Sequence, residues 1–261
     1  MDQALWLTWY DLPEDGRDAY LSWLHEAHMP RLLERPGILW AAHYASEAKP
    51  VLTSKKDGRR HPPDGSVPGG YHYILVAGGE NAHVFAHPTP KQFDASLPER
   101  DRKMLALRIG ASTNVMIEQA RIEGPDAARR EVGVALSPCI QLGSFVFDGD
   151  EDELLAWYAQ WRLPSMTTLP GCIAVRKLVS VSGWAKHAIL HEFVSVAARN
   201  ENFVNHESKR HPEQAAWSEK VTGQVIHAPG SPNVARRIES VVAANPKAGD
   251  SSLAKPNVML L

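Results

Sequence analysis

The 261-residue chain has few cysteines, only Cys139 and Cys172. No Cys-x-x-Cys pair and no Cys/His spacing suited to a structural metal accompanies them, so neither a disulfide framework nor a zinc module is built in. Small buried hydrophobes are the expected role for both thiols. Excess charge of one sign is also missing, since the formal net charge is -2. No broad field therefore favours nucleic acid or an anionic membrane. The short basic runs, Lys55-Lys56 with Arg59-Arg60 and Arg129-Arg130, sit among Gly, Pro and Asp and read as solvated loops. No apolar run approaches the roughly 18–20 residues that span a bilayer, and no charged leader precedes an apolar stretch. A soluble, cytoplasmic protein is expected, with a small-molecule substrate, no nucleic acid, no membrane, and room for a homodimer. A glycine-rich phosphate loop, a nucleophile elbow, HExxH and a dinucleotide fingerprint are all missing.

What is present is a repeat. Trp23, Pro30 and Pro36-Gly37 recur 134 residues later as Trp157, Pro164 and Pro170-Gly171, with no gap. A fixed internal period marks a repeated structural unit. His28 in the first copy stands opposite Arg162 in the second. The 44% hydrophobic content suits a chain that buries a real core.

In chain order the pattern predicts a strand over 4–11, a helix over 16–35, and strands over 38–45 and 71–77. A helical region within 90–109 and a strand over 114–122 complete the first unit. Residues 46–70, rich in Gly, Pro and charge, read as a long polar loop. The order then repeats: a strand at 140–147, a helix at 151–168, strands at 173–181 and 184–197, a helical region at 200–221 and a strand at 233–242. These spans give units 1–124 and 138–243, a connector 125–137, and a tail 244–261. Each unit reads strand-helix-strand-strand-helix-strand, the ferredoxin-like order. Strand 4–11 is apolar on both faces, with Trp6, Thr8 and Tyr10 on one and Leu5, Leu7 and Trp9 on the other. A sheet apolar on both sides needs cover on both. The fold class is α+β, two tandem ferredoxin-like (βαββαβ) units packed sheet to sheet.

Through Trp23, His28, Pro30 and Pro36-Gly37, and again through Trp157, Pro164 and Pro170-Gly171, the chain resembles the dimeric α+β barrel superfamily and its EthD-like group. The resemblance spans about 1–122 and 138–243, and departs from the family's pattern at Arg162, which replaces the second histidine. It implies an intrachain barrel and a range of activities: cofactor-free dehydratases, isomerases, cyclases, decarboxylases and monooxygenases, besides haem-binding branches.

The leading expectation is a cofactor-independent lyase or isomerase on a small, partly apolar carbonyl, hydroxy-acid or aromatic compound. His28, on the buried helix stripe, is a general acid/base candidate or else a core histidine. Arg162 is an oxyanion or carboxylate anchor, or else pairs with an internal carboxylate such as Glu192. His25 and His43 are possible helpers. Tyr10, Tyr44, His72, Trp40, Trp184 and His191 are candidates for the substrate-lining wall, and no metal ligands stand out. His28 and Arg162 are expected at two poles of one cavity between the sheets. The alternatives are a cofactor-free or haem-dependent oxidative enzyme, since a haem needs only one well-placed histidine, and a non-catalytic small-molecule binder.

Overall fold

A computed structural model of the chain describes residues 2–47, 59–63, 65–131, 135–203 and 212–243. Residues 48–58 and 64 of the 46–70 loop, the 204–211 part of the second helical region and the whole 244–261 tail lie outside the described residues. The first half runs β1 (Ala4–Asp11), α1 (Arg17–Trp23), a π-helical turn (Leu24–His28), α2 (Met29–Leu33), β2 (Ile38–Ser46), β3 (Tyr73–Gly79), α3 (Pro90–Ser96), α4 (Glu99–Leu105) and β4 (Ile109–Glu123). The second runs β5 (Cys139–Phe147), α5 (Glu151–Trp157), a π-helical turn (Tyr158–Arg162), α6 (Leu163–Ser165), β6 (Cys172–Ser182), β7 (His187–Phe193), α7 (Val196–Asn202), α8 (Ala215–Thr222), β8 (Val225–His227) and β9 (Asn233–Val242).

The repeated motif has a local physical cause. In each copy Trp is the last residue before the π-helical turn, and Pro is the second residue after it. Proline offers no N–H and its ring crowds the carbonyl four residues back, so the helical ladder is disturbed there. The chain takes a wider turn instead: the N–H of Met29 bonds the carbonyl of Leu24, and that of Leu163 the carbonyl of Tyr158, both five residues back. The glycine of Pro-Gly then reverses direction in the left-handed region, with φ 82° at Gly37 and 81° at Gly171. His28 and Arg162 both end their π turns.

All strand pairs among the named strands are antiparallel, and eight of them close on themselves in the order β1-β3-β2-β9-β5-β7-β6-β4. This is the dimeric α+β barrel fold, in one chain. Within each half the strand order is the same, β4-β1-β3-β2 and β9-β5-β7-β6. The seams between halves are β2 on β9 and β4 on β6. Alternation sorts the side chains as the sequence predicts. Leu5, Leu7 and Trp9 enter the barrel, while Ala4, Trp6 and Tyr10 face the helices of the first half.

Several boundaries differ from the sequence reading, β4 above all, which starts at Ile109 rather than 114. The strand predicted over 184–197 ends at Phe193, because the Ser195 side chain accepts from the N–H of Ala198 and starts α7. The region at 90–109 is two helices broken at Leu97-Pro98. Short β8, pairing on β5, carries no signal of its own. On the helix that opens the second half, Leu155 is 49% exposed, while Leu154, Trp157, Tyr158 and Trp161 are buried.

The barrel interior is filled. Leu5, Leu7, Trp40, Tyr44, Ile74 and Met116 from one half meet Ile140, Leu142, Leu178 and Leu190 from the other. Two further cores lie outside the barrel, one beneath each helical layer. His28 belongs to the first layer and Arg162 to the second, so the single chamber expected between the sheets is not what joins them. Both thiols are free and buried, and burial pushes each up to about 12.

Candidate functional site

In the first layer His28 is completely buried at the end of its π turn. Its ring lies 4.8 Å from that of Trp23 and 5.9 Å from that of Phe93, and among the described residues neither ring nitrogen has a hydrogen-bond partner. Burial, with Arg108 and Arg31 adding to it, pushes the imidazole down to about 3 against the pull of Asp101. Asp101 itself accepts from the Trp23 indole at 3.0 Å and pairs with Arg31.

Beside it runs a chain of three side chains. The Tyr10 hydroxyl lies 2.8 Å from His43 Nε2, and His43 Nδ1 lies 2.8 Å from His25 Nε2. Burial raises the Tyr10 phenol well above its usual value, so it keeps its proton and donates. His43 is fully buried, and burial, then His25 and Arg108, holds it neutral. One tautomer satisfies both contacts: Nε2 accepts from Tyr10 and Nδ1–H donates to His25. The chain thus leads from the core to the half-buried His25. Arg108, donating to Tyr20 at 2.7 Å and lying 4.8 Å over the Tyr10 ring, closes its inner end.

A hollow of about 600 Å³ sits in the second layer, between β5, β7 and the helices. Phe145, Trp157, Tyr158, Phe203, Ile189 and the His191 ring give it a largely apolar wall, and Arg162, Gln141 and His227 bring polar groups to it. Such a volume and such a mixture suit a small organic ligand. The Arg162 guanidinium lies 5.2 Å from the Phe203 ring and 6.0 Å from that of Trp157. Arg199 covers the same Phe203 ring at 5.3 Å, and its guanidinium Nε donates to Gln141 Oε1 at 2.8 Å. Phe203 also meets the His191 ring edge-on at 4.9 Å. Both ring nitrogens of His191 are buried. His191 therefore does not present a nitrogen to the hollow as a haem ligand would.

The candidates thus fall into separate places. His25, His28, His43 and Tyr10 lie in the first layer, and Arg162 and His191 in the second. Tyr44 and Trp40 are inside the barrel, where Tyr44 donates to the Ser137 carbonyl at 2.8 Å and Trp40 lies over Gly78. Trp184 lines a very small recess at the barrel's end. His72 is at the surface, 2.7 Å from Asp11. The carboxylate suggested for Arg162, Glu192, faces the other side of β7 and pairs with Arg130 at 3.0 Å; alternation separates it from His191 and the hollow. Gln141, Phe145, Phe203 and His227 are cavity residues the sequence does not single out; the register of β5 and β8 sets Phe145 opposite His227, and Phe203 comes from the end of α7.

No family model matches this sequence, and no curated protein does. Solved structures do resemble it. An anthrone oxidase-like protein superposes with a TM-score of 0.55 at 9% identity, covering 94% of both chains. A candidate monooxygenase from Fusobacterium nucleatum subsp. nucleatum ATCC 25586 gives 0.53 at 9% identity, covering 92% of this chain and 94% of its own. Another from Lactobacillus acidophilus NCFM gives 0.52 at 12% identity, over 94% and 98%. At such identities the likeness is one of fold.

Proposed function

We propose that the protein is an oxidative enzyme that uses no bound cofactor and acts on a small hydroxylated aromatic compound held in the second-layer hollow. The observation that carries this reading is a guanidinium, Arg162, set among aromatic rings on the wall of a hollow of about 600 Å³. The names of the similar structures, oxidase and monooxygenase, lean the same way. The aromatic wall would bury the flat body of the substrate, and Arg162 would donate to its hydroxyl or carbonyl oxygen.

Charge developing on that oxygen as a proton leaves is what a pre-placed guanidinium stabilises most. The proton would pass to an imidazole on the same wall, His227 or, after movement of Phe203, His191. The enolate or phenolate so formed is electron-rich enough to reduce dioxygen. Overall, a methylene and dioxygen become a carbonyl and water: two electron pairs leave the substrate, one oxygen atom stays on carbon, and the other departs as water. No step runs through iron, and a preparation without a Soret band should be active.

The lyase or isomerase expectation shares the first step, proton loss onto the same oxyanion anchor, and differs in consuming no dioxygen. An oxygen electrode therefore decides between them. With anthrone and simple quinols as probes, oxygen uptake should follow substrate loss one for one. Arg162→Met should lower kcat/KM by about 100-fold, as loss of one oxyanion donor does, while the surface control Lys220→Met leaves it unchanged. Uptake that is absent across the panel, or indifferent to Arg162, would overturn the reading.

A further inference from the structure

A second hollow, of about 230 Å³, opens beside the first and shares Leu154 and Tyr158 with it. Lys177, on β6, lines it and is 3% exposed. Among the described residues no carboxylate lies within ion-pair distance of this amine. Its neighbours are the Leu178 carbonyl at 3.2 Å, His187 Nδ1 at 3.0 Å, and the rings of Tyr158 at 5.1 Å and Phe145 at 5.9 Å. His187, on β7, reaches on to Glu151 at the start of α5, with Nε2 3.0 Å from Oε2. Lys186 holds the same carboxylate at 2.7 Å.

The line Lys177–His187–Glu151 has one consistent direction. Glu151 accepts from the imidazole Nε2–H, which leaves Nδ1 bare to accept an N–H from Lys177. Burial pushes the Lys177 amine down to about 7, Lys186 adding and Glu151 opposing. A share of the molecules far larger than for an ordinary lysine then carries a neutral amine at neutral pH, with its lone pair available. A desolvated lysine beside an acid/base group is an activated nucleophile. His187, driven to about 4 by burial and then by Lys177, stays neutral there and can take a proton.

We propose that Lys177 is the nucleophile of a second reactive site that captures small aldehydes as an imine, with His187 and Glu151 as its proton relay. The amine lone pair forms a bond to the carbonyl carbon while the C–O π pair moves to oxygen. One N–H proton passes through His187 to that oxygen, giving the carbinolamine. Its hydroxyl, protonated by the same relay, then leaves as water while nitrogen forms the C=N bond and gives up its last proton. One amine and one aldehyde become one imine and one water, and no oxidant or reductant is consumed. Leu154, Leu155, Tyr158 and Val179 select an aldehyde with an apolar body. Nothing in this depends on Arg162 or on oxygen chemistry in the larger hollow.

The test is trapping. The full chain is incubated at pH 7 with benzaldehyde and sodium cyanoborohydride, which reduces an imine to a stable benzylamine, and the peptides are weighed. Lys177 should be labelled at least ~10-fold faster than the exposed Lys186, Lys220 and Lys103, since an ordinary lysine is almost wholly protonated at this pH. Its labelling should rise with a midpoint near pH 7, and His187→Gln should slow it. In Lys177→Met, incorporation should fall to that of the exposed lysines alone. Where that variant does not fold, the pH profile of the wild-type protein decides alone. Labelling at Lys177 no faster than at the exposed lysines, or rising only above about pH 9, would overturn the proposal.

Discussion

Replacing His28 by leucine tests whether that imidazole is a neutral, unsatisfied core group. It is fully buried, neither nitrogen has a partner among the described residues, and burial pushes it down to about 3 in the folded state. In the unfolded chain a histidine titrates near 6.5. Between these values the unfolded state binds the proton and the folded state does not, so stability falls as pH drops from 6.5 towards 3. Linkage puts the loss from this one group at about 3 kcal/mol between pH 7 and pH 4. Leucine removes that loss, together with two buried polar atoms whose desolvation costs about 1–3 kcal/mol. It gives up the ring contacts to Trp23 and Phe93 in return. Urea unfolding of both proteins at pH 7, 6, 5 and 4 reads the difference directly. The gap should move in favour of the variant by about 3 kcal/mol from the highest pH to the lowest, whatever its sign at pH 7. His187 also titrates low, but it is present in both proteins and cancels. Parallel stability curves would refute the reasoning.

Other consequences are as direct. Arg130→Met strands Glu192, which is 1% exposed and also accepts from the Ser137 N–H and hydroxyl. A loss of about 3 kcal/mol in urea unfolding is expected, as for a broken buried pair, and Glu192→Gln in the same background should recover much of it. Gly171→Ala puts a Cβ 2.7 Å from that of Ala198 at a φ of 81°, and Gly37→Ala puts one 2.5 Å from Val84 Cγ1 at 82°. Each should cost about 1–3 kcal/mol; an unchanged Tm in either would remove the explanation of the Pro-Gly pair. Tyr10→Phe leaves His43 Nε2 without its donor and should cost about 1–3 kcal/mol. The same change should shift the nitrogen resonances of His43 in NMR, while a spectrum identical to wild type would dissolve the Tyr10–His43–His25 chain.

Much of the architecture is legible in the residues themselves. Strict alternation of Leu5, Leu7 and Trp9 with Trp6 and Tyr10 marks a sheet covered on both faces, and the Trp/Pro/Pro-Gly spacing marks equivalent turns. Helical spacing says that His28 is buried but not beneath which sheet face, and three separate cores accept such a stripe. Nor does composition distinguish a barrel that is filled from one that is hollow; that depends on how Trp40, Tyr44 and Met116 mesh with the opposite half. Lys177 is harder still to see. Next to Arg176 it looks like half of a solvated basic pair, yet Arg176 is 1% exposed and tied to Asp2 and Glu118 on one face of β6, while Lys177 is buried on the other.

Closure of eight strands within a single polypeptide has an effect on what each half is free to become. Were the ring assembled from two identical molecules, every alteration would be made twice, and a pocket on one flank would have a twin on the other. Here a change is made once. One flank can therefore hold a tyrosine and its imidazoles while the other holds the two hollows described above, and neither has to compromise for its counterpart.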